Sequence, residues 1–128
     1  MSFIYELFKV ETIHSKRCEK LEDILSLLNE KYINYLSKKY NTDTIGLKEK
    51  ILKDFKDNLL KFTEDEHKSF YELYNGEVDY SNENLYINLK KFTSLGLVYL
   101  FTTNGGKLYE FQIPIELVNQ YEDLLRTI

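Results

Sequence analysis

Proline occurs once in this chain, at Pro114, and glycine five times, never before Gly46. With so little punctuation, long helices are expected to dominate the first part. The single cysteine, Cys18, cannot form an internal disulfide, which agrees with a reducing compartment. No apolar run approaches the roughly 20 residues a membrane-spanning helix needs. No basic-then-apolar leader opens the chain. The expectation is a soluble, cytoplasmic protein. Tryptophan is absent and arginine is present only at Arg17 and Arg126. That scarcity, beside abundant Lys, Asn, Ile and Tyr, is what A·T-rich coding produces, as in low-GC bacteria and their phages.

What is present is 128 residues, 43% of them hydrophobic, enough apolar surface for one domain with a real core. The net charge of −4 is unevenly spread: residues 1–62 hold 12 basic and 10 acidic side chains, residues 63–80 hold 1 and 6, and residues 81–128 hold 4 and 5. The middle is acidic, and no segment has the clustered Lys and Arg of a phosphate-binding surface.

Leu21, Ile24, Leu25, Leu28, Tyr32, Tyr35 and Leu36 recur at three-and-four spacing and predict one helix over 19–40. Phe3, Ile4, Leu7 and Phe8 also fit a helical stripe, weakened by β-branched Val10, Thr12 and Ile13. After a loop at Asn41–Thr44, Gly46 precedes a second helix with Leu47, Ile51, Phe55, Leu59 and Phe62 inside. Thr63-Glu64-Asp65-Glu66 reads as a capping box opening a third, with Phe70, Tyr71 and Tyr74 inside and Gly76 ending it in a left-handed conformation. Val78 to Tyr80 suits a short strand. Ser81 is expected to cap a fourth helix with Leu85, Leu89 and Phe92 inside, stopped at Gly96. Leu97 to Thr102 then reads as a strand, and Asn104-Gly105-Gly106 as a hairpin turn. A three-residue loop sets Thr103 opposite Lys107, Phe101 opposite Tyr109, Tyr99 opposite Phe111 and Leu97 opposite Ile113. Pro114 fits the first position of a last helix carrying Leu117, Tyr121, Leu124 and Ile128.

The fold expected is therefore α+β and predominantly helical, with about five helices, a C-terminal antiparallel hairpin and a possible third short strand. The order of helix, short strand, helix, hairpin and closing helix, carried by FTSLGLVYLF and KLYEFQIP, resembles a winged-helix domain. On that likeness the single domain, 1–128, divides into a helical part over 1–62 and a winged-helix-like part over 63–128. The resemblance implies a recognition helix in the major groove, and its polar candidates here are Asn84, Asn88, Lys90 and Lys91, with Lys107 on the wing. The interval 81–96 holds one helix where the family has two, and it lacks arginine to read guanine.

Chemistry-bearing clusters are sparse. On a helix His14 and Cys18 would share a face, but with Glu11 or Glu22 they fall short of a zinc ligand set; Lys16, Arg17 and Lys20 could lower the Cys18 thiol pKa, and an accident of surface charge explains their placement equally well. Glu64, Asp65, Glu66 and His67 are consecutive and diverge around a helix, so capping suits them better than acid-base work. No phosphate loop, nucleophile elbow or metalloprotease motif occurs. An enzyme, a metal and a cofactor are not expected. The eleven tyrosines favour a protein interface, with Tyr5, Tyr32, Tyr35, Tyr40, Tyr71, Tyr86 and Tyr109 as exposure candidates. The reading is a non-enzymatic protein, an inhibitor or adaptor, that binds another protein through Glu64, Asp65, Glu72, Tyr71 and Tyr86. The alternative is a winged-helix-like transcription regulator, with homodimers possible.

Overall fold

Six α-helices and a three-stranded sheet make up the described residues, 12–77, 81–103 and 108–127, of a computed structural model. In chain order they are β1 (Thr12–His14), α1 (Leu21–Leu27), α2 (Glu30–Lys39) and α3 (Leu47–Asn58), which tightens into a 3-10 turn at Leu59–Lys61. Then follow α4 (Glu64–Asn75), α5 (Glu83–Ser94), β2 (Tyr99–Thr103), β3 (Leu108–Gln112) and α6 (Ile115–Thr127). The fold is α+β and predominantly helical, closing with an antiparallel hairpin and a final helix. The stripe of Phe3, Ile4, Leu7 and Phe8, which leaves the first ten residues ambiguous, the possible strand at Val78–Tyr80 and the turn residues Asn104 to Gly106 lie outside the described residues.

The helix expected over 19–40 is two helices. Leu28 and Asn29 are extended, at ψ 142° and 163°, and the Asn29 side chain accepts from the Tyr32 N–H at 2.8 Å. An N-cap inside an unbroken apolar stripe restarts the helix, and the stripe alone does not show it. Both halves bury most of that stripe, with Leu21, Ile24 and Leu36 at 0% exposure and Tyr32 at 6%, whereas Tyr35 is exposed.

The stripe of α3 behaves as expected: Leu47, Ile51, Phe55 and Leu59 are buried. Phe70 of α4 lies at the centre of an aromatic cluster, with ring centroids 5.5 Å from Phe55, 6.0 Å from Phe62, 5.5 Å from Phe92 and 4.9 Å from Tyr121. Rings from α3, the turn after it, α5 and α6 thus meet on one side chain of α4.

The α5 cap is Asn82, one residue later than the expected Ser81, and its side chain accepts from the Asn84 N–H at 3.0 Å. Gly96, at φ +73°, ends the helix. A Cβ there would meet the Tyr99 hydroxyl at 2.8 Å and Ile51 Cδ1 at 3.2 Å, so the position demands glycine on two counts. Pro114 directly precedes α6, and its carbonyl accepts from the Val118 N–H at 3.0 Å.

The sheet departs from expectation in two ways. Its third described strand is β1, pairing in parallel with β2 so that Ile13 lies beside Phe101. The hairpin register is shifted by one residue: Tyr99 faces Gln112, Leu100 faces Phe111 and Thr103 faces Leu108, leaving four residues between the strands. As the middle strand, β2 is buried on both faces, with Tyr99, Leu100 and Phe101 all at 1% exposure or less. Alternation therefore cannot select a register here.

One polar junction fastens α6 to α1. Lys20 at the α1 N-cap makes no side-chain cap; instead a Glu116 carboxylate oxygen accepts from the Leu21 N–H at 3.0 Å. The Ile115 N–H donates to the Glu19 carbonyl at 2.8 Å, and the Lys48 ammonium of α3 lies 3.7 Å from Glu22 and 3.8 Å from Glu116.

Candidate functional site

The acidic start of α4 is built as the sequence predicts. Thr63 Oγ1 accepts from the Glu66 N–H at 3.1 Å, and Glu66 Oε1 accepts from the Thr63 N–H at 2.9 Å, closing a capping box. Gly76 closes the other end at φ +75°. Between these ends, α4 carries its polar residues on two stripes. Positions three, four and seven apart share a face, so Asp65, Ser69 and Glu72 form one stripe and Glu64, Lys68, Tyr71 and Asn75 another.

The first stripe faces α5. The Asn88 amide is 6% exposed and donates to Asp65 Oδ2 at 3.1 Å and to Ser69 Oγ at 2.8 Å. One turn away, the Lys91 ammonium pairs with Glu66, which is itself 6% exposed. Burial by itself would raise the Glu66 carboxyl, but the bonds from Lys91 and Thr63 outweigh it and hold the group below the usual carboxylate range. Glu72 Oε2, on the same stripe, is shielded from solvent and has no hydrogen-bond partner.

The second stripe faces outward. Tyr71 is 44% exposed, with its ring centroid 6.0 Å from that of Tyr74. The Tyr74 hydroxyl donates to Glu122 Oε2 of α6 at 2.8 Å, and its ring packs edge-on against Tyr121 at 5.4 Å. That hydrogen bond, followed by desolvation, raises the Tyr74 phenol pKa and keeps it neutral. The result is an aromatic surface spanning α4 and α6, with Tyr71 open and Tyr74 pinned.

The expected site residues therefore separate. Glu64 and Tyr71 share the open face, whereas Asp65 and Glu72 belong to the face turned toward α5. Tyr86 is 8% exposed and part of the core, which corrects its reading as a surface contact. Among the nucleic-acid candidates, Asn88 is buried and bonded within the protein, a second correction, and Lys91 is paired to Glu66. Asn84 and Lys90 remain exposed, with Ile87 between them at 58% exposure. Lys107 lies outside the described residues.

Other tyrosines expected at the surface turn inward. The Tyr32 hydroxyl donates to the Thr93 carbonyl at 2.7 Å and the Tyr40 hydroxyl to the Leu95 carbonyl, both at the C-terminal end of α5. Tyr35 is exposed at 46% and has the Lys39 ammonium 5.8 Å from its ring centroid. Tyr5 and the Tyr109 side chain lie outside the described residues. Sequence reasoning missed the pairing of Tyr74 with Glu122, and only the i, i+3 spacing of Tyr71 and Tyr74 hints that they share a face.

Elsewhere, a hollow of about 380 Å³ at the end of α2 is lined by Asn34, Ser37, Lys38, Asn41 and Thr42, open to solvent and with one charged group. It has neither a nucleophile and base pair nor a set of metal donors. No His, Cys, Asp and Glu grouping able to hold a metal occurs among the described residues. Of the two readings of the cations around Cys18, the activating one is not supported: desolvation, followed by the nearby Asp23 charge, raises the thiol pKa. No helix among the described residues is long and apolar enough to cross a membrane. No protein-family model, curated protein or solved structure matches the chain, so the reading of its function rests on this geometry.

Proposed function

We propose that this chain is a non-enzymatic cytoplasmic protein, an inhibitor or adaptor, that works by binding another protein through the open face of α4 and the adjoining edge of α6. The observation that carries the reading is the exposed Tyr71 ring set against Tyr74, whose hydroxyl is fixed to Glu122. A tyrosine held in place by its neighbours loses little conformational freedom on binding and offers both an apolar ring and a polar tip. Glu64, on the same stripe, supplies an exposed charge at the rim.

The test is stoichiometric co-purification from cells in which the chain is naturally made. Replacing Tyr71 by Ala is expected to abolish capture, Tyr71→Phe to retain most of it, and Glu64→Lys to weaken it with a clear dependence on salt. Capture that survives both Tyr71→Ala and Glu64→Lys rejects this face as the binding site. The winged-helix-like alternative draws on the exposed Asn84 and Lys90 of α5. Binding of duplex DNA at low salt that falls steeply as salt rises, and that weakens on Lys90→Ala, favours that alternative instead.

A further inference from the structure

The last turn of α4 ends in Asn75-Gly76, and both residues are exposed. An asparagine followed by glycine carries its own reactivity, because no side chain shields the glycine nitrogen. That nitrogen, after losing its proton, bonds to the asparagine side-chain carbonyl carbon; the bond from that carbon to the amide nitrogen breaks, and ammonia leaves. Water then opens the five-membered succinimide at either carbonyl, giving aspartate or isoaspartate. Water is the sole co-reactant, and nothing is oxidised or reduced.

We propose that Asn75-Gly76 is a self-modification site at which α4 acquires a carboxylate and loses its terminal cap. Apart from its own chain neighbours, no atom lies within 4 Å of where a Cβ on Gly76 would project, so no packed side chain covers the turn. The reaction is gated by three hydrogen bonds, from the Gly76 N–H to the Glu72 carbonyl and to the Leu73 carbonyl, the latter at 3.3 Å, and from the Glu77 N–H to the Glu72 carbonyl at 3.1 Å. All three belong to a terminal turn, the part of a helix that opens most readily. The last turn has no basic residue to offset a new negative charge, which would sit at the negative end of the helix dipole. Isoaspartate also adds a backbone atom, so the cap bonds cannot re-form in register. Asn75 lies one turn from Tyr71 on the same stripe, so conversion alters the surface proposed above for partner binding. That consequence, unlike the modification itself, rests on the proposed function.

The experiment ages the full native chain under warm, mildly alkaline conditions and maps its peptides by mass spectrometry, with an enzymatic isoaspartate assay on the fractions. The expected result is progressive loss of the Asn75 amide as mixed aspartate and isoaspartate, with Asn75→Gln unchanged at that position over the same time because its longer side chain must close a six-membered imide, a much slower step. An Asn75 amide that stays intact in the native chain, under conditions in which the same chain unfolded in urea has converted, overturns the proposal. Asn104-Gly105 maps to a different peptide and is scored separately. Partner capture is measured on aged wild type and aged Asn75→Gln. Conversion with equal capture by both rejects the link to Tyr71 and leaves the modification standing.

Discussion

Tyrosine is the residue whose use the composition conceals most. Eleven of them in a chain without tryptophan suggest an interface, yet Tyr32 and Tyr40 direct their hydroxyls at the Thr93 and Leu95 carbonyls, at the end of α5. Tyr99 is buried completely, and burial foremost raises its phenol pKa. The spacing of an amphipathic side chain says which face it lies on but not how deep its tip reaches. Glu66 shows the reverse case, where the local motif was legible and its distant partner was not. The capping box could be read from Thr63 to Glu66, whereas Lys91 is 25 residues away in sequence. A carboxyl whose folded-state pKa is depressed stabilises the fold fully above its unfolded value and ceases to do so as pH falls through the folded one. Acidification from about pH 5 downward, through the ordinary glutamate value near 4.3 and on through the lower folded one, is therefore expected to destabilise the native chain. Urea titrations along that range should show a smaller loss for Glu66→Gln, which also begins about 2 kcal/mol less stable at neutral pH. An identical pH profile for both chains would remove Glu66 from this role.

At the scale of elements, α3 through α6 were legible because stripes and punctuation agreed there to within a residue: Thr63, Gly76 and Gly96 fall where expected, Asn82 rather than Ser81 caps α5, and Pro114 stands just before α6 rather than at its first position. The break between α1 and α2 was obscured by a stripe that runs across it without interruption. Asn29 is the single residue that decides the matter, and a lone asparagine among helix formers is a weak signal unless its cap bond is seen. Replacing it by Ala is expected to cost about 1 kcal/mol, measurable as a shift in the urea midpoint. Helical content by circular dichroism should hold or rise as the two segments gain freedom to merge. The hairpin was found and its register missed, since a middle strand apolar on both faces accepts either alignment. Strand β1 went unread because three residues that pair in parallel with a partner some ninety positions away carry no local signature.

For the whole molecule, the aromatic cluster around Phe70 is where separate stretches of sequence become one object. Its ring neighbours come from positions 55, 62, 92 and 121, so one truncation loosens most of the helical layer at once. Phe70→Ala is expected to lower unfolding free energy by about 4 kcal/mol, with the slope against denaturant unchanged if the native state stays intact. A loss below about 1 kcal/mol would mean that the cluster contributes little. The candidate site itself was half legible. Glu64 and Tyr71 were named from composition and spacing, but the separation of Asp65 and Glu72 from them follows from where α5 packs, which helix period alone does not state.

The junction of Glu116 with the first turn of α1 spans 95 positions along the chain. During synthesis, the amide of Leu21 emerges long before the carboxylate that satisfies it, and Ile115 reaches Glu19 only at the same late moment. A nascent polypeptide stopped short of residue 116 is left with an open seam along its earliest described helix, and that seam shuts only once residues 115 and 116 have emerged.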